Sequence, residues 1–226
     1  MRIILIGNGC SATEEKLGKI IDTEFDLVLR MNRFKTEGFE EYVGTKTDIW
    51  VVSDNAFQWV TNEDEKIEGS KNWKSYQGIY VGVPSFKWGS FPTNEKLTDK
   101  LGIPIYIIPK HIGDSASSYL DLPSDRWPTL GMQCLYALMS DEEENEIFIH
   151  GFDGKDKKYE YFHYYDIGDP EWRTDKYYEK KINHSDETEF NHIQDLAKTN
   201  KIKILKDEIL REDKNDKWED KNNIKA

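Results

Sequence analysis

Short runs of apolar residues, rich in Ile and Val and bounded by turn-forming residues, recur along the chain. They predict β-strands at 2–6, 26–31, 49–52, 79–83, 105–108, 147–150 and 202–205. Several of these runs are apolar at every position, which is typical of strands that are covered on both faces of a sheet. Between them, apolar residues spaced three and four apart predict helices at 11–22, 93–101, 131–140 and 186–199.

The alternation of strand and helix predicts the fold class. Strand followed by helix, repeated along residues 1–210, indicates an α/β protein with a single Rossmann-like domain, a mostly parallel sheet and helices on both faces. Two segments depart from this pattern. Residues 153–183 are dense in Tyr, Phe and Trp, which favours an ordered, lid-like insertion. Residues 211–226 are mostly charged, which predicts a frayed or disordered tail.

Composition narrows the class of protein further. The 226 residues include 31 Lys and Arg against 43 Asp and Glu, and the resulting net charge of −12 argues against a nucleic-acid-binding protein. Two cysteines far apart in sequence make neither a disulfide framework nor a zinc-binding spacing. No apolar run reaches the roughly 20 residues of a membrane helix, and the first strand is too short for a signal-peptide core. These features predict a cytoplasmic globular protein.

The first candidate site is the turn Gly7-Asn8-Gly9, between the first predicted strand and the first predicted helix. Ligands of open α/β sheets bind at this edge, beside helix N-termini. The glycines permit close approach of backbone to a ligand, and Asn8 offers both a donor and an acceptor. The same pattern also suits an ordinary tight turn. Ser11 and Glu14 have the spacing of a helix capping box.

Two further polar residues end strands at the same edge of the sheet. Asn32 closes the second predicted strand, and Ser53 closes the third. An asparagine at the end of a strand is commonly a turn former. Two asparagines on one edge, Asn8 and Asn32, nevertheless suit a ribose and a single phosphate better than a pyrophosphate.

Four segments resemble the sialyl motifs of animal-type sialyltransferases. Residues 3–50 resemble the large motif, with Gly7-Asn8-Gly9 and Arg30-Met31-Asn32, and residues 128–152 resemble the small motif, with Thr129-Leu130-Gly131. His163-Tyr164-Tyr165-Asp166 is similar to the third motif, and His184 with Glu189 five residues later is similar to the very short motif. The four occur in the order of the family, over nearly the whole chain. The first motif and the His184 region also resemble small bacterial sialyltransferases.

This resemblance implies a fold, a reaction and a set of site residues. The fold would be a GT-A-like sialyltransferase variant that binds a CMP-linked sugar and transfers it with inversion, without an essential metal or other cofactor. By the resemblance, Asn8 and Asn32 contact the phosphate and ribose, and Thr129 and the Gly131 backbone hold the carboxylate or the nucleotide. His163 binds the phosphate and His184 is the catalytic base. The remaining implied substrate-binding residues are Gly7, Gly9, Ser53, Leu130, Tyr161, Tyr164 and Tyr165.

Two positions depart from the family pattern. Leu130 stands where the small motif usually has a second hydroxyl residue, which removes one expected donor contact. The cysteine pair that links the two larger motifs in animal enzymes is absent, because Cys10 follows the first loop and Cys134 lies in a predicted helix. A reducing cytosol is consistent with that absence.

The predicted function is therefore transfer of sialic acid, or of a related 2-keto acid sugar such as Kdo, from a CMP-sugar donor to a hydroxyl of a glycan acceptor. A glycolipid acceptor would bring the protein to a membrane surface. Histidine suits the base because its pKa lies near neutrality. The leaving phosphate gains only about one charge, so His and Tyr donors can replace a divalent metal.

Two alternatives remain open at this point. The first is a non-catalytic nucleotide- or glycan-binding module of the same fold. The second is an NAD-dependent dehydrogenase that uses the first loop. The acidic residue expected about 20 positions further on would then be Glu24 or Asp26. Both lie ahead of or within the second predicted strand instead of at its end, which disfavours the dehydrogenase.

Overall fold

The structure is a computed structural model that describes residues 1–57, 60, 68–84, 87, 89, 91–123, 126–141, 143–153, 159–161, 163–166 and 186–211. The predicted catalytic base, His184, lies outside the described residues. Most of the predicted lid at 153–183 and the tail from 212 onward also lie outside them. In the described part, no helix has the length and apolar character needed to cross a membrane.

Seven parallel strands form one sheet, which confirms the predicted fold class. The strands are β1 (Arg2–Ile6), β2 (Leu27–Met31), β3 (Ile49–Ser53), β4 (Gly78–Gly82), β5 (Ile105–Ile107), β6 (Glu146–His150) and β7 (Lys203–Ile204). Their spatial order is β5-β4-β3-β2-β1-β6-β7, and every pairing is parallel. The first five strands therefore lie side by side in chain order, from β1 to β5. The last two, β6 and β7, lie on the other side of β1. The crevice between the carboxyl ends of β1 and β6 is the switch point at which such sheets bind ligands.

Helices lie on both faces of the sheet. They are α1 (Gly18–Glu24), α2 (Glu40–Val43), α3 (Glu68–Asn72), α4 (Asn94–Leu101), α5 (Lys110–Tyr119), α6 (Leu130–Met139) and α7 (Asp186–Lys198), and residues 205–211 are also helical. Alternate strand residues supply the two cores. Ile3 and Leu5 pack with residues of α5, α6 and α7, whereas Ile4 and Ile6 pack with Leu17 and residues of α1 on the opposite face.

The sequence located the strands better than the helices. The predicted helix at 11–22 is wrong, because a single 3-10 turn at Cys10–Thr13 precedes α1. Helices α2, α3 and α5 were not predicted. The first two span only four and five residues, and α5 contains Gly113 and four serine or aspartate residues, which have low helix propensity.

Candidate functional site

The loops that follow β1 and β6 are hydrogen-bonded to each other at the switch point. The N–H groups of Gly7 and Gly9 donate to the carbonyl oxygens of His150 and Gly151 at 2.8 and 3.0 Å. The Ser11 N–H donates to Asp153 Oδ2 at 2.9 Å. These amides are therefore occupied by protein acceptors, in contrast to the open amides of a phosphate-binding loop.

The two glycines of the first loop are required by this close packing. A Cβ at Gly7 would overlap the carbonyl oxygen of Gly151, and a Cβ at Gly9 would overlap the carboxylate of Asp153. The sequence had assigned both glycines to the approach of a ligand. In the structure, the absence of a side chain at Gly7 and Gly9 leaves room for Gly151 and Asp153 of the loop that follows β6. Asp153 was missed as a member of the site because it begins a charged stretch that resembles a solvated loop.

We expect Gly9→Ala to lower the free energy of unfolding by about 1–3 kcal/mol through overpacking. The backbone of Gly9, with φ −67°, suits any residue, so the cost arises from the overlap with Asp153. Urea unfolding measures it. Gly89→Ala is the matched control because an added Cβ there meets no atom within 4 Å. In an Asp153→Ala background, Gly9→Ala should cost little; an equal cost in both backgrounds would contradict the assignment.

The predicted capping box at Ser11 and Glu14 is wrong. Gly9 precedes the 3-10 turn, and the Ser11 N–H is bonded to Asp153 instead of to a local cap. The Glu14 carboxylate accepts instead from Tyr159 Oη at 2.5 Å and from Lys206 Nζ at 2.7 Å. This carboxylate thus joins the first loop to the segment near 159 and to the C-terminal helix.

Asn8 lies at the switch point, and its side-chain oxygen has no hydrogen-bond partner among the described residues. Its Nδ2 donates to the carbonyl oxygen of Met31 at 3.0 Å, which fixes the orientation of the amide. Its Oδ1 is buried. An unpaired buried acceptor is costly, and a hydroxyl or amino group of a ligand would satisfy it. A phosphate oxygen, which is itself an acceptor, would not. Asn8 therefore suits a ribose or sugar hydroxyl better than the phosphate.

Asn32 combines the turn role and the edge position that the sequence left open. Its φ of 46° lies in the left-handed region, and its N–H donates to the Val51 carbonyl oxygen at 2.7 Å. Its Oδ1 accepts from the Ser53 N–H at 3.1 Å, so the amide nitrogen is the group with which Asn32 can bind a phosphate. The Ser53 hydroxyl accepts from the Ala56 N–H at 3.3 Å, which turns the chain after β3.

The carboxylate of Glu189, on α7, is hydrogen-bonded to Thr129, the residue that precedes α6. The carboxylate accepts from the Thr129 N–H at 2.7 Å and from Thr129 Oγ1 at 2.6 Å. Thr129 Oγ1 in turn caps α6 by accepting from the Met132 N–H at 3.3 Å. Glu189 is 5% exposed, so both bonds are shielded from water. The sequence placed Thr129 on the donor and Glu189 at the start of its own helix, whereas the structure pairs the two residues.

A single aromatic ring joins the large and small motifs. A Cβ at Gly131 would lie 2.8 Å from Phe152 Cε1, and a Cβ at Gly7 would lie 3.1 Å from Phe152 Cδ2. Phe152 thus lies between the two glycines. Leu130 points toward β4, where its Cδ1 contacts the position of a Cβ on Gly82. Leu130 therefore packs against β4, and its contact with the substrate stays a prediction.

The tetrad of residues 163–166 combines one polar pair with one buried ring. His163 Nδ1 lies 2.5 Å from Asp166 Oδ2, and the His163 ring stacks on Tyr165 at 5.1 Å between centroids. Asp166 is 8% exposed and fixes the orientation of the imidazole. Burial raises the pKa of Tyr165, so its hydroxyl stays protonated.

Tyr164 is buried protein core instead of the predicted substrate contact. It is 1% exposed, and its hydroxyl donates to the carbonyl oxygen of Lys35. Its N–H donates to the carbonyl oxygen of Asn8 at 3.1 Å. Tyr164 therefore ties the tetrad to the first loop and to the segment that follows Asn32.

Two other titratable groups beneath the loop are uncharged at neutral pH. Burial lowers the pKa of His150 to about 4, and its Nε2–H donates to the Ala12 carbonyl oxygen at 3.0 Å. Burial raises the pKa of Cys10 to about 12, and its Sγ donates to the carbonyl oxygen of Tyr161 at 3.0 Å. Both therefore hold the loop in place as neutral donors. Within the described ranges, no cluster of three or more His, Cys, Asp or Glu side chains could hold a metal ion.

The fold and these contacts define a class of protein: a Rossmann-like α/β protein with a candidate site at the switch point of its sheet. The profile of the family described as "Glycosyltransferase family 29 (sialyltransferase)" matches residues 2–201. The chain belongs to this family, as the sequence motifs predicted.

Individual relatives agree with the family assignment. The human protein named CMP-N-acetylneuraminate-beta-galactosamide-alpha-2,3-sialyltransferase 1 is 30% identical over 213 residues, which cover 91% of this chain and 58% of that protein. The mouse protein of the same name is 27% identical. The chain thus spans a little over half the length of these relatives.

Solved structures share the fold. The crystal structure of a mammalian sialyltransferase in complex with Gal-beta-1-3GalNAc-ortho-nitrophenol matches with a TM-score of 0.56 at 24% identity, over 90% of this chain and 68% of that chain. A second mammalian sialyltransferase structure matches with a TM-score of 0.57.

Proposed function

We propose that this protein transfers sialic acid, or a related 2-keto acid sugar such as Kdo, from a CMP-sugar to a glycan hydroxyl, with inversion and without a metal ion. The family and the names of the relatives support a CMP-sialic acid donor. The observation that carries the proposal is the set of contacts that hold the motifs together. Asn8 bonds to Met31 within the large motif, Tyr164 of the third motif bonds to Asn8, and Glu189 of the very short motif bonds to Thr129 of the small motif.

The structure supports separate roles for the polar residues of the donor site, one binding the ribose and the others the phosphate. Asn8 Oδ1 is suited to accept from a ribose hydroxyl, because it is an unpaired acceptor. Asn32 Nδ2 and the imidazole of His163 are donors suited to the phosphate. The contact between Nδ1 and Asp166 fixes the orientation of the imidazole that His163 would direct at the phosphate. Donors that are already fixed in place stabilise the charge that develops on the departing CMP without reorganising.

The acceptor hydroxyl needs a base, and the proposal assigns this role to His184. His184 precedes α7 by two positions, because the helix begins at Asp186. The N-terminal end of a helix favours the neutral form of a nearby imidazole, which is the form a base requires. Glu189 anchors this end of α7 to Thr129 at the start of α6.

Incubation with CMP-sialic acid or CMP-Kdo and a β-galactoside acceptor tests this function. We expect release of CMP that requires the acceptor and is unchanged by EDTA, with a product whose new bond has the anomeric configuration opposite to that of the donor. Mass spectrometry and NMR of the product measure both. Binding of CMP without transfer or donor hydrolysis would favour the non-catalytic module, and loss of activity in EDTA would overturn the metal-independent mechanism. The cytoplasmic location and a glycolipid acceptor stay predictions.

A further inference from the structure

Arg33 directly follows Asn32 at the carboxyl end of β2. The backbone before it is fixed on both sides, because the Asn32 N–H donates to Val51 and the Asn32 carbonyl oxygen accepts from Trp50 Nε1 at 2.8 Å. The Arg33 side chain is exposed to solvent. A fixed backbone thus presents an exposed cation beside a predicted phosphate-binding residue.

Two other described cations near this edge pair with carboxylates, and a third, Lys35, lies over the Phe39 ring at 5.8 Å from its centroid. Lys87 Nζ lies 2.6 Å from Asp54 Oδ2, and Lys206 Nζ lies 2.7 Å from Glu14 Oε2. Arg33, by contrast, makes no hydrogen bond or ion pair with any residue that the structure describes. In a chain with a net charge of −12, such a cation is available to a ligand.

Arg33 also lies on the side of the site that holds the tetrad. Its positive charge acts on Tyr165 and partly opposes the rise in the pKa of Tyr165 that burial causes. Tyr165 stacks on His163, the residue proposed to bind phosphate. Tyr165 is therefore a common neighbour of Arg33 and His163.

We propose that Arg33 binds an oxyanion of the nucleotide-sugar donor. This inference rests on the proposed function. A CMP-linked acid sugar carries two oxyanions, the phosphate and the sugar carboxylate. Guanidinium groups pair with both in a bidentate geometry that lysine cannot reproduce. Recruiting the donor against the overall negative charge of the chain requires a local cation of this kind.

Binding measured by calorimetry with cytidine, CMP and CMP-sialic acid tests this proposal without requiring turnover. We expect Arg33→Gln to weaken CMP or CMP-sialic acid about 10-fold at low ionic strength and to leave cytidine within about twofold. Arg33→Lys should recover part of the loss. Lys100→Gln is the matched control. Lys100 is exposed on α4, and its substitution removes one positive charge, as Arg33→Gln does.

The three ligands also identify the oxyanion. If Arg33→Gln weakens the binding of both CMP and CMP-sialic acid, Arg33 binds the phosphate. If it weakens the binding of CMP-sialic acid alone, Arg33 binds the carboxylate. An equal loss on cytidine, no loss on either anion, or the same loss in Lys100→Gln overturns the proposal while the proposed function stands. Failure of the unaltered protein to bind any of the three overturns the proposed function and this inference with it.

Discussion

Replacing His184 with alanine is expected to lower the turnover of sugar transfer by about 1,000-fold, within the 10²–10⁴ range of general-base catalysis. The affinity for CMP should change little, because the proposed base acts on the acceptor hydroxyl and not on the nucleotide. Turnover with saturating donor and acceptor, and calorimetry with CMP, measure the two quantities. A loss confined to turnover is the signature of an interaction made in the transition state.

The control for this variant is His111→Gln. His111 is exposed on α5, outside the site, and its replacement should leave turnover unchanged. If His184→Ala retained most of its turnover, the assignment of the base would be wrong. If it lost CMP affinity in parallel with turnover, His184 would be a donor-binding residue instead.

Removing the carboxylate of Glu189 is expected to destabilise the fold by about 3–5 kcal/mol in Glu189→Ala, because the N–H and the hydroxyl of Thr129 both lose their buried acceptor. Glu189→Gln should cost less, since the amide oxygen still accepts one of the two bonds. Transfer should fall in both variants, and further in Glu189→Ala, because the contact between α7 and the start of α6 is weakened in one and lost in the other. Urea unfolding and turnover of the folded fraction measure these effects.

A double-mutant cycle isolates the contact itself. Thr129→Val combined with Glu189→Ala should show a coupling energy of about 0.5–3 kcal/mol, as expected for hydrogen-bonded neighbours. Glu187→Ala, exposed on the same helix, is the control and should be nearly neutral. Additive effects in the cycle, or equal destabilisation by Glu187→Ala, would show that Glu189 does not act through Thr129.

The strands and the order of the motifs were predictable because their determinants are local. Each strand of the sheet centre is a run of apolar residues, and burial on both faces makes such runs stand out from the amphipathic helices. Asn8, Asn32 and His163 were also predicted as site residues from their places in motifs. The 3-10 turn at Cys10–Thr13 was missed, because the amide of Ser11 within it donates to Asp153, which lies 142 residues further along the chain.

The sequence by itself determined that this chain forms a parallel α/β sheet and belongs among the sialyltransferases, since both follow from residue types at fixed spacings. Only the tertiary structure decided which partner each polar group takes. Thr129 and Glu189 are 60 residues apart and meet only because α6 and α7 pack on one face of the sheet. Tyr164 is likewise buried by loops from three strands. Hydrogen bonds are short and directional, so their partners depend on positions that chain folding alone sets.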